Sequence, residues 1–242
     1  TAGTKYSYKI YAYGKDGFDG STVKSVASSV KSMVRLNTPA ITSVTNASSS
    51  MTVKLVKNST IDGYIIMRSK KGADFEEIAT VSASKAVSYA DKTSLTNGAD
   101  YTYKVYAYRE LDGKTYKSAA SAEKTLVRLS RPSELSLVSD AAGELDVFWK
   151  ANSKADGYQI IYSTDADFSE YSTITASGAS RNVQFIFGLK KGKNYYVKIR
   201  AYKKFGGKTI VGWSTESNMT IDDFIMENYN PIKPQLKMDI GI

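Results

Sequence analysis

The chain has 242 residues, 42% of them hydrophobic and 12% aromatic, which is enough apolar side chain for packed cores and excludes wholesale disorder. It has no Cys and no His, so disulfide staples, thiol nucleophiles, Cys- or His-based metal centres and a Ser–His–acid triad are all excluded. Net charge is +9, but the lysines alternate singly with apolar residues, as on the wet face of strands, and no apolar run approaches the roughly 18 residues of a membrane-spanning helix; neither nucleic acid nor membrane insertion is expected.

The chain opens with two expected strands, about 5–13 and 22–35, joined around Lys15-Asp16-Gly17-Phe18-Asp19-Gly20. Tyr6, Tyr8, Ile10 and Ala12 share one face, and a lone hairpin is marginal in water, so that face demands cover. Val34-Arg35-Leu36-Asn37-Thr38-Pro39 then runs almost directly into the next strand, with Pro stiffening the entry. Met51, Val53 and Leu55 alternate with Thr52 and Lys54. Ile61-Asp62-Gly63-Tyr64-Ile65-Ile66 opens a strand with Ile65 and Met67 pointing outward, to meet either a partner or the side chains of the adjoining strand. Tyr101, Tyr103, Val105 and Ala107 face inward; Thr102, Lys104 and Tyr106 face outward.

A second short junction follows, Val127-Arg128-Leu129-Ser130-Arg131-Pro132, again unlike a flexible Gly/Ser linker. Leu145, Val147 and Trp149 alternate with Asp146 and Phe148. Ala155-Asp156-Gly157-Tyr158-Gln159-Ile160 puts Ile161 outward, and Tyr195, Val197, Ile199 and Ala201 face inward against Tyr196, Lys198 and Arg200. Residues 223–242 fall outside this pattern; too apolar to float freely, they read either as a C-terminal strap or linker or as a segment that adds a strand to a partner.

The elements recur. Tyr6, Tyr101 and Tyr195 are 95 and 94 residues apart, the Asp-Gly-Tyr triplets at 62–64 and 156–158 are 94 apart, and Val34-Arg35-Leu36 and Pro39 return 93 residues on. That period is the size of one small β-sandwich and too long for the common solenoids.

Leu95 to Tyr101, Leu189 to Tyr195, the Gly-Tyr-x-Ile strands and Trp149 together resemble the fibronectin type III domain, in the form common in surface proteins of Gram-positive bacteria. The resemblance covers about residues 1–222 and implies an all-β chain of tandem immunoglobulin-like sandwiches. It makes Tyr6, Tyr101 and Tyr195 tyrosine corners, each hydroxyl bonding back to nearby backbone, and makes Trp149 a core anchor. Leu55 stands where the third unit has Trp149, so neighbouring residues are expected to restore the lost volume. The resulting division is 1–36 as the last two strands of one domain, 37–129 and 130–222 as two whole domains, and 223–242 as a tail. By the repeat spacing, about 57 residues of the first domain precede Thr1. Such modules are spacers and interaction units of surface or secreted proteins, including extracellular enzymes.

No reaction centre emerges. Glu76 and Glu77 are adjacent and so point to opposite faces of a strand. Asp165 and Asp167 with Glu170 nearby carry hard oxygens of the kind Ca²⁺ takes, but lack the Gly and distal Glu of a Ca²⁺ loop. Asp62 and Asp156 suit turns. No catalytic, cofactor or metal site is expected. The candidate partner surface comprises Tyr11, Tyr13, Tyr106, Tyr108 and Tyr202, interleaved with Lys, plus Ile65, Met67 and Ile161; it serves either to stack a cell-surface glycan, wall polymer or protein, or only for cross-strand packing. Upstream domains of a parent protein are the other expected partners.

Overall fold

The computed structural model describes residues 1–83, 87–139 and 143–221; the proposed tail at 223–242 lies outside them. All regular structure among the described residues is β.

The first segment forms β1 (Lys5–Tyr8), β2 (Tyr13–Lys15), β3 (Thr22–Lys24) and β4 (Lys31–Val34). β1 pairs antiparallel with β4, Tyr6 opposite Met33, and β2 with β3, Tyr13 opposite Lys24. Each expected strand is thus broken in two, and the cause is a pair of serines. Ser25 and Ser28 donate their N–H groups to Ala12 O and Ile10 O at 2.8 Å, while their hydroxyls accept the Ala12 and Ile10 N–H groups at 3.0 Å. Side chains have replaced half of the ladder, so the N–H and C=O groups of Ile10 and Ala12 are still paired.

The second segment forms β5 (Ile41–Asn46), β6 (Met51–Leu55), β7 (Gly63–Lys70), β8 (Glu76–Ser82), β9 (Ser88–Asp91), β10 (Asp100–Leu111), β11 (Lys114–Lys117) and β12 (Lys124–Val127). One sheet runs β5-β6-β9, the other β11-β10-β7-β8 with β12 also on β10. Between them lie Met51, Val53, Tyr64, Ile66, Tyr101, Tyr103 and Val105, all fully buried. Burying each such side chain is worth about 1.5–3 kcal/mol. The serine device returns: Ser118 and Ser121 hydroxyls accept the N–H groups of Ala107 and Val105 at 2.9 and 3.1 Å. The glycine of the Asp-Gly-Tyr triplet is also explained. Gly63 lies opposite Tyr108, and a Cβ there would sit 2.2 Å from Val81 O and 2.6 Å from the Tyr108 ring.

The third segment forms β13 (Ser133–Val138), β14 (Leu145–Lys150), β15 (Gly157–Ser163), β16 (Ser172–Ser177), β17 (Val183–Ile186), β18 (Asn194–Phe205), β19 (Lys208–Val211) and β20 (Thr215–Thr220). Its sheets repeat the plan: β13-β14-β17, and β16-β15-β18-β19 with β20 on β18. Leu145, Val147, Tyr158, Ile160, Val197, Ile199 and Ala201 are fully buried, and Trp149 is nearly so, its ring 5.0 Å from that of Tyr158. The volume exchange is direct: where the third sandwich has Trp149 and Val197, the second has Leu55 and a buried Tyr103. Asp146, expected on the wet face, is buried. Its register partner Phe185 and the flanking Phe148 stand on the same outer surface, so that face is not simply wet.

By contact density the chain divides into two compact units. One holds Thr1–Ser130 with Tyr202–Trp213, the other Arg131–Ala201 with the described chain from Ser214 onward. The end of the β18–β19 hairpin therefore counts with the first unit.

Candidate functional site

Three tyrosines hold the same geometry. Thr96 N–H donates to Tyr101 Oη at 2.8 Å and Lys190 N–H to Tyr195 Oη at 3.1 Å, each from five residues upstream. The backbone nitrogen of Thr1 donates to Tyr6 Oη at 2.6 Å, again five residues upstream. The bonds to Tyr101 and Tyr195 tie the turn before β10 and β18 to those strands; the donor to Tyr6 is the N-terminal amino group.

A second recurrent contact was not read from the sequence. Lys104 lies 3.7 Å above the centre of the Phe75 ring, and Lys198 lies 4.0 Å above Phe168. The lysines are 94 apart and the phenylalanines 93, both phenylalanines ending an Ala-Asp-Phe triplet. That doubled triplet was the available signal. Phe168 reaches its lysine from a left-handed backbone (φ 54°). Asp165 holds the loop: its carboxylate accepts the Asp167 and Ser169 N–H groups at 3.0 and 3.1 Å and the Ser169 hydroxyl. These bonds, chiefly the one to Ser169, hold the Asp165 carboxyl below the usual range. Its oxygens are turn acceptors. Asp62 behaves alike, accepting the Glu110 N–H at 2.7 Å.

The candidate partner surface divides. Tyr11 and Tyr13 are exposed (51% and 80%), and Tyr106, Tyr108, Met67 and Ile161 are half-buried. Two members fail as exposed contacts. Ile65 is buried because it sits in register between Tyr106 on β10 and Thr80 on β8. Tyr202 is buried where β18 pairs with β19, opposite Val211. Tyr108 covers the bare backbone of Gly63, so it packs the sheet.

A buried charged site lies in the second sandwich. Arg68 Nη1 donates to both Asp91 oxygens, at 3.0 and 3.2 Å, and to Thr93 Oγ1 at 2.8 Å; Nη2 donates to Glu76 at 2.6 Å. Tyr103 Oη adds a 2.7 Å bond to Asp91, which is wholly buried. Burial alone would raise the Asp91 carboxyl, but hydrogen bonds from Thr93, Tyr103 and Arg68 outweigh it and leave it below its ordinary value. Burial and Asp91 together push the Tyr103 phenol far up, so it stays a donor.

The same corner of the third sandwich is open. A groove of about 830 Å³ lies there, walled by Tyr162, Tyr171, Phe187 and Tyr196, with Lys190 and Lys193 among its polar lining.

Comparison with known proteins supports the architecture. Residues 130–226 match the fibronectin type III domain family. No curated protein matches the chain. Among solved structures, the chicken CNTN1 FN1–FN3 domains are 18% identical over 92% of this chain and 77% of theirs, with a TM-score of 0.37. A two fibronectin type III domain segment from chicken tenascin is 15% identical over 76% and 99%, TM-score 0.36. The chicken interferon gamma receptor alpha chain is 16% identical over 77% and 98%, TM-score 0.39. The strand pairing gives an all-β chain of tandem immunoglobulin-like sandwiches, and residues 130–226 of it carry the fibronectin type III match. Fibronectin type III domains serve as structural or interaction modules.

Proposed function

We propose that this chain is a spacer and interaction segment of a modular surface or secreted protein, of bacterial, Gram-positive type, and carries no reaction of its own. The observation that carries this reading is the anchored exit of the second sandwich. Arg128 is buried, and its guanidinium donates to the carbonyls of Ala47, Ser48 and Ser50 at 2.8–2.9 Å. Asn46 clamps the same exit, donating to Val127 O at 3.0 Å and accepting the Leu129 N–H at 3.1 Å. A module whose last strand is tied to its own first turn sends the chain out in one direction, as a stiff spacer requires. The Val-Arg-Leu at 34–36 repeats that exit sequence.

The same logic assigns 1–36 to the last two strands of a further sandwich, followed by domains 37–129 and 130–222. It shares the tyrosine geometry and the serine device, and it presents Tyr8, Ile10, Phe18 and Val26 at 53%, 74%, 101% and 93% exposure. Apolar side chains so exposed demand cover, as the other half of a sandwich would give. Small-angle scattering tests the spacer reading: an elongated, narrow distance distribution that broadens in Arg128→Ala supports it, and a compact particle overturns it. Limited proteolysis of an upstream-extended chain tests the assignment: cleavage between 9 and 31 should be suppressed, and unchanged cleavage contradicts it.

A further inference from the structure

We propose that the open groove of the third sandwich binds an acidic sugar, a pyranose bearing a carboxylate or phosphate. The second sandwich supplies the reference. Lys190 and Lys193, between Leu189 and the corner Tyr195, stand where the second sandwich has Thr96 and Ala99 between Leu95 and Tyr101. The repeat that keeps the corner open has therefore placed two cations where its sister has none, beside the rings of Tyr171 and Phe187. The sister corner is plugged by Arg68, whose place is taken here by Tyr162; Arg68 stands opposite Glu76, whereas Tyr162 stands opposite Ser172 on the groove wall.

Tyr171 and Phe187 are exposed by 61% and 68%. Large rings standing in water beside a polar cleft favour a ligand with an apolar face and a polar edge, which is what the C–H face and hydroxyl rim of a sugar ring provide. About 830 Å³ falls in the range of small-ligand sites and takes one or two rings. Lys190 and Lys193 against Glu170 leave the lining one positive charge, which suits a single acidic substituent and is far too little for a nucleic-acid backbone. Asn194 and Glu170 supply amide and carboxylate partners for hydroxyls. The groove lies wholly within the second compact unit. The proposal is independent of the spacer reading: failure to bind overturns it and leaves the scattering result standing, and the reverse also holds.

Nitrogen-15 NMR of the full chain provides the test, with a glucuronic acid–N-acetylglucosamine disaccharide as probe, neutral diacetylchitobiose as control and penta-glutamate as the peptide alternative. The expected result is saturable shifts confined to amides of 162–196, an acidic sugar bound at least about tenfold more tightly than the neutral one, and about tenfold weakening in Lys190→Ala/Lys193→Ala. Phe187→Ala should weaken both sugars. All these side chains are exposed, and the same spectra show whether each variant is folded. Absence of shifts up to about 10 mM probe, shifts centred elsewhere, equal affinity for the neutral sugar or penta-glutamate, or unchanged binding in the variants would each overturn the proposal.

Discussion

Arg68 and Tyr162 occupy equivalent strand positions in two sandwiches of one plan, and everything around them differs. The second sandwich buries an ion pair there, satisfied by Asp91, Glu76, Thr93 and the Tyr103 hydroxyl, although Arg68 Nε finds no acceptor. The third puts Ile186 opposite Leu145 where the second puts Asp91 opposite Met51, puts Val197 at the Tyr103 position, and leaves a groove. The frame that surrounds both corners, a tyrosine bonded five residues back and a lysine over a phenylalanine, is unchanged. The fold is thus maintained by a few backbone-directed bonds, while the corner beside them is free to become a sealed ion pair or an open cleft.

The largest way to break this comparison is Asp91→Ala. It leaves the Arg68 guanidinium buried beside an empty place and should destabilise the second sandwich by about 3–5 kcal/mol, whereas Ile186→Val at the equivalent buried position of the third should cost about 0.5–1.5 kcal/mol. Hydrogen exchange resolved by peptide reports each sandwich separately. Next comes Gly63→Ala, whose Cβ would meet Val81 O and the Tyr108 ring; a loss of about 1–3 kcal/mol is expected in urea unfolding. Tyr101→Phe and Tyr195→Phe should each cost about 1 kcal/mol, equally in both sandwiches, because each loses one hydrogen bond to a turn. Lys104→Met and Lys198→Met should cost least, about 0.5–1 kcal/mol.

Acid sharpens the contrast. The Asp91 carboxyl is depressed on folding, so its contribution is complete above the unfolded value of about 3.9 and fades as pH falls through the lower folded value. The second sandwich should therefore lose protection as pH falls below about 4, and Asp91→Asn should remove that part of the slope. An unaltered slope would show that Asp91 is not the responsible group.

The frame was legible in the sequence because it is periodic. Alternation fixed the inward faces of β10 and β18, and the 94-residue spacing matched the strands of the two sandwiches. What escaped was whatever depends on a partner from another strand. Ser25 and Ser28 read as ordinary strand residues until their hydroxyls are seen on the opposite N–H groups. Arg68 sits at an inward position of β7, and only the buried Asp91 and Thr93 make that tolerable. Ile65 and Tyr202 look exposed by alternation, but cross-strand neighbours cover an outer face that periodicity treats as open water. The groove is a shortage of side chain at one corner, and single-chain patterns do not register a shortage.

The central claim is that residues 37–129 and 130–221 are two copies of one sandwich differing at this corner. A crystal structure of the chain tests it most directly. The account predicts that the two segments superimpose strand for strand, with Tyr101 on Tyr195 and Gly63 on Gly157, with Arg68 closed onto Asp91 in one and an open, aromatic-walled groove in the other. Segments that do not superimpose, or a third-sandwich corner filled by its own side chains, would contradict it.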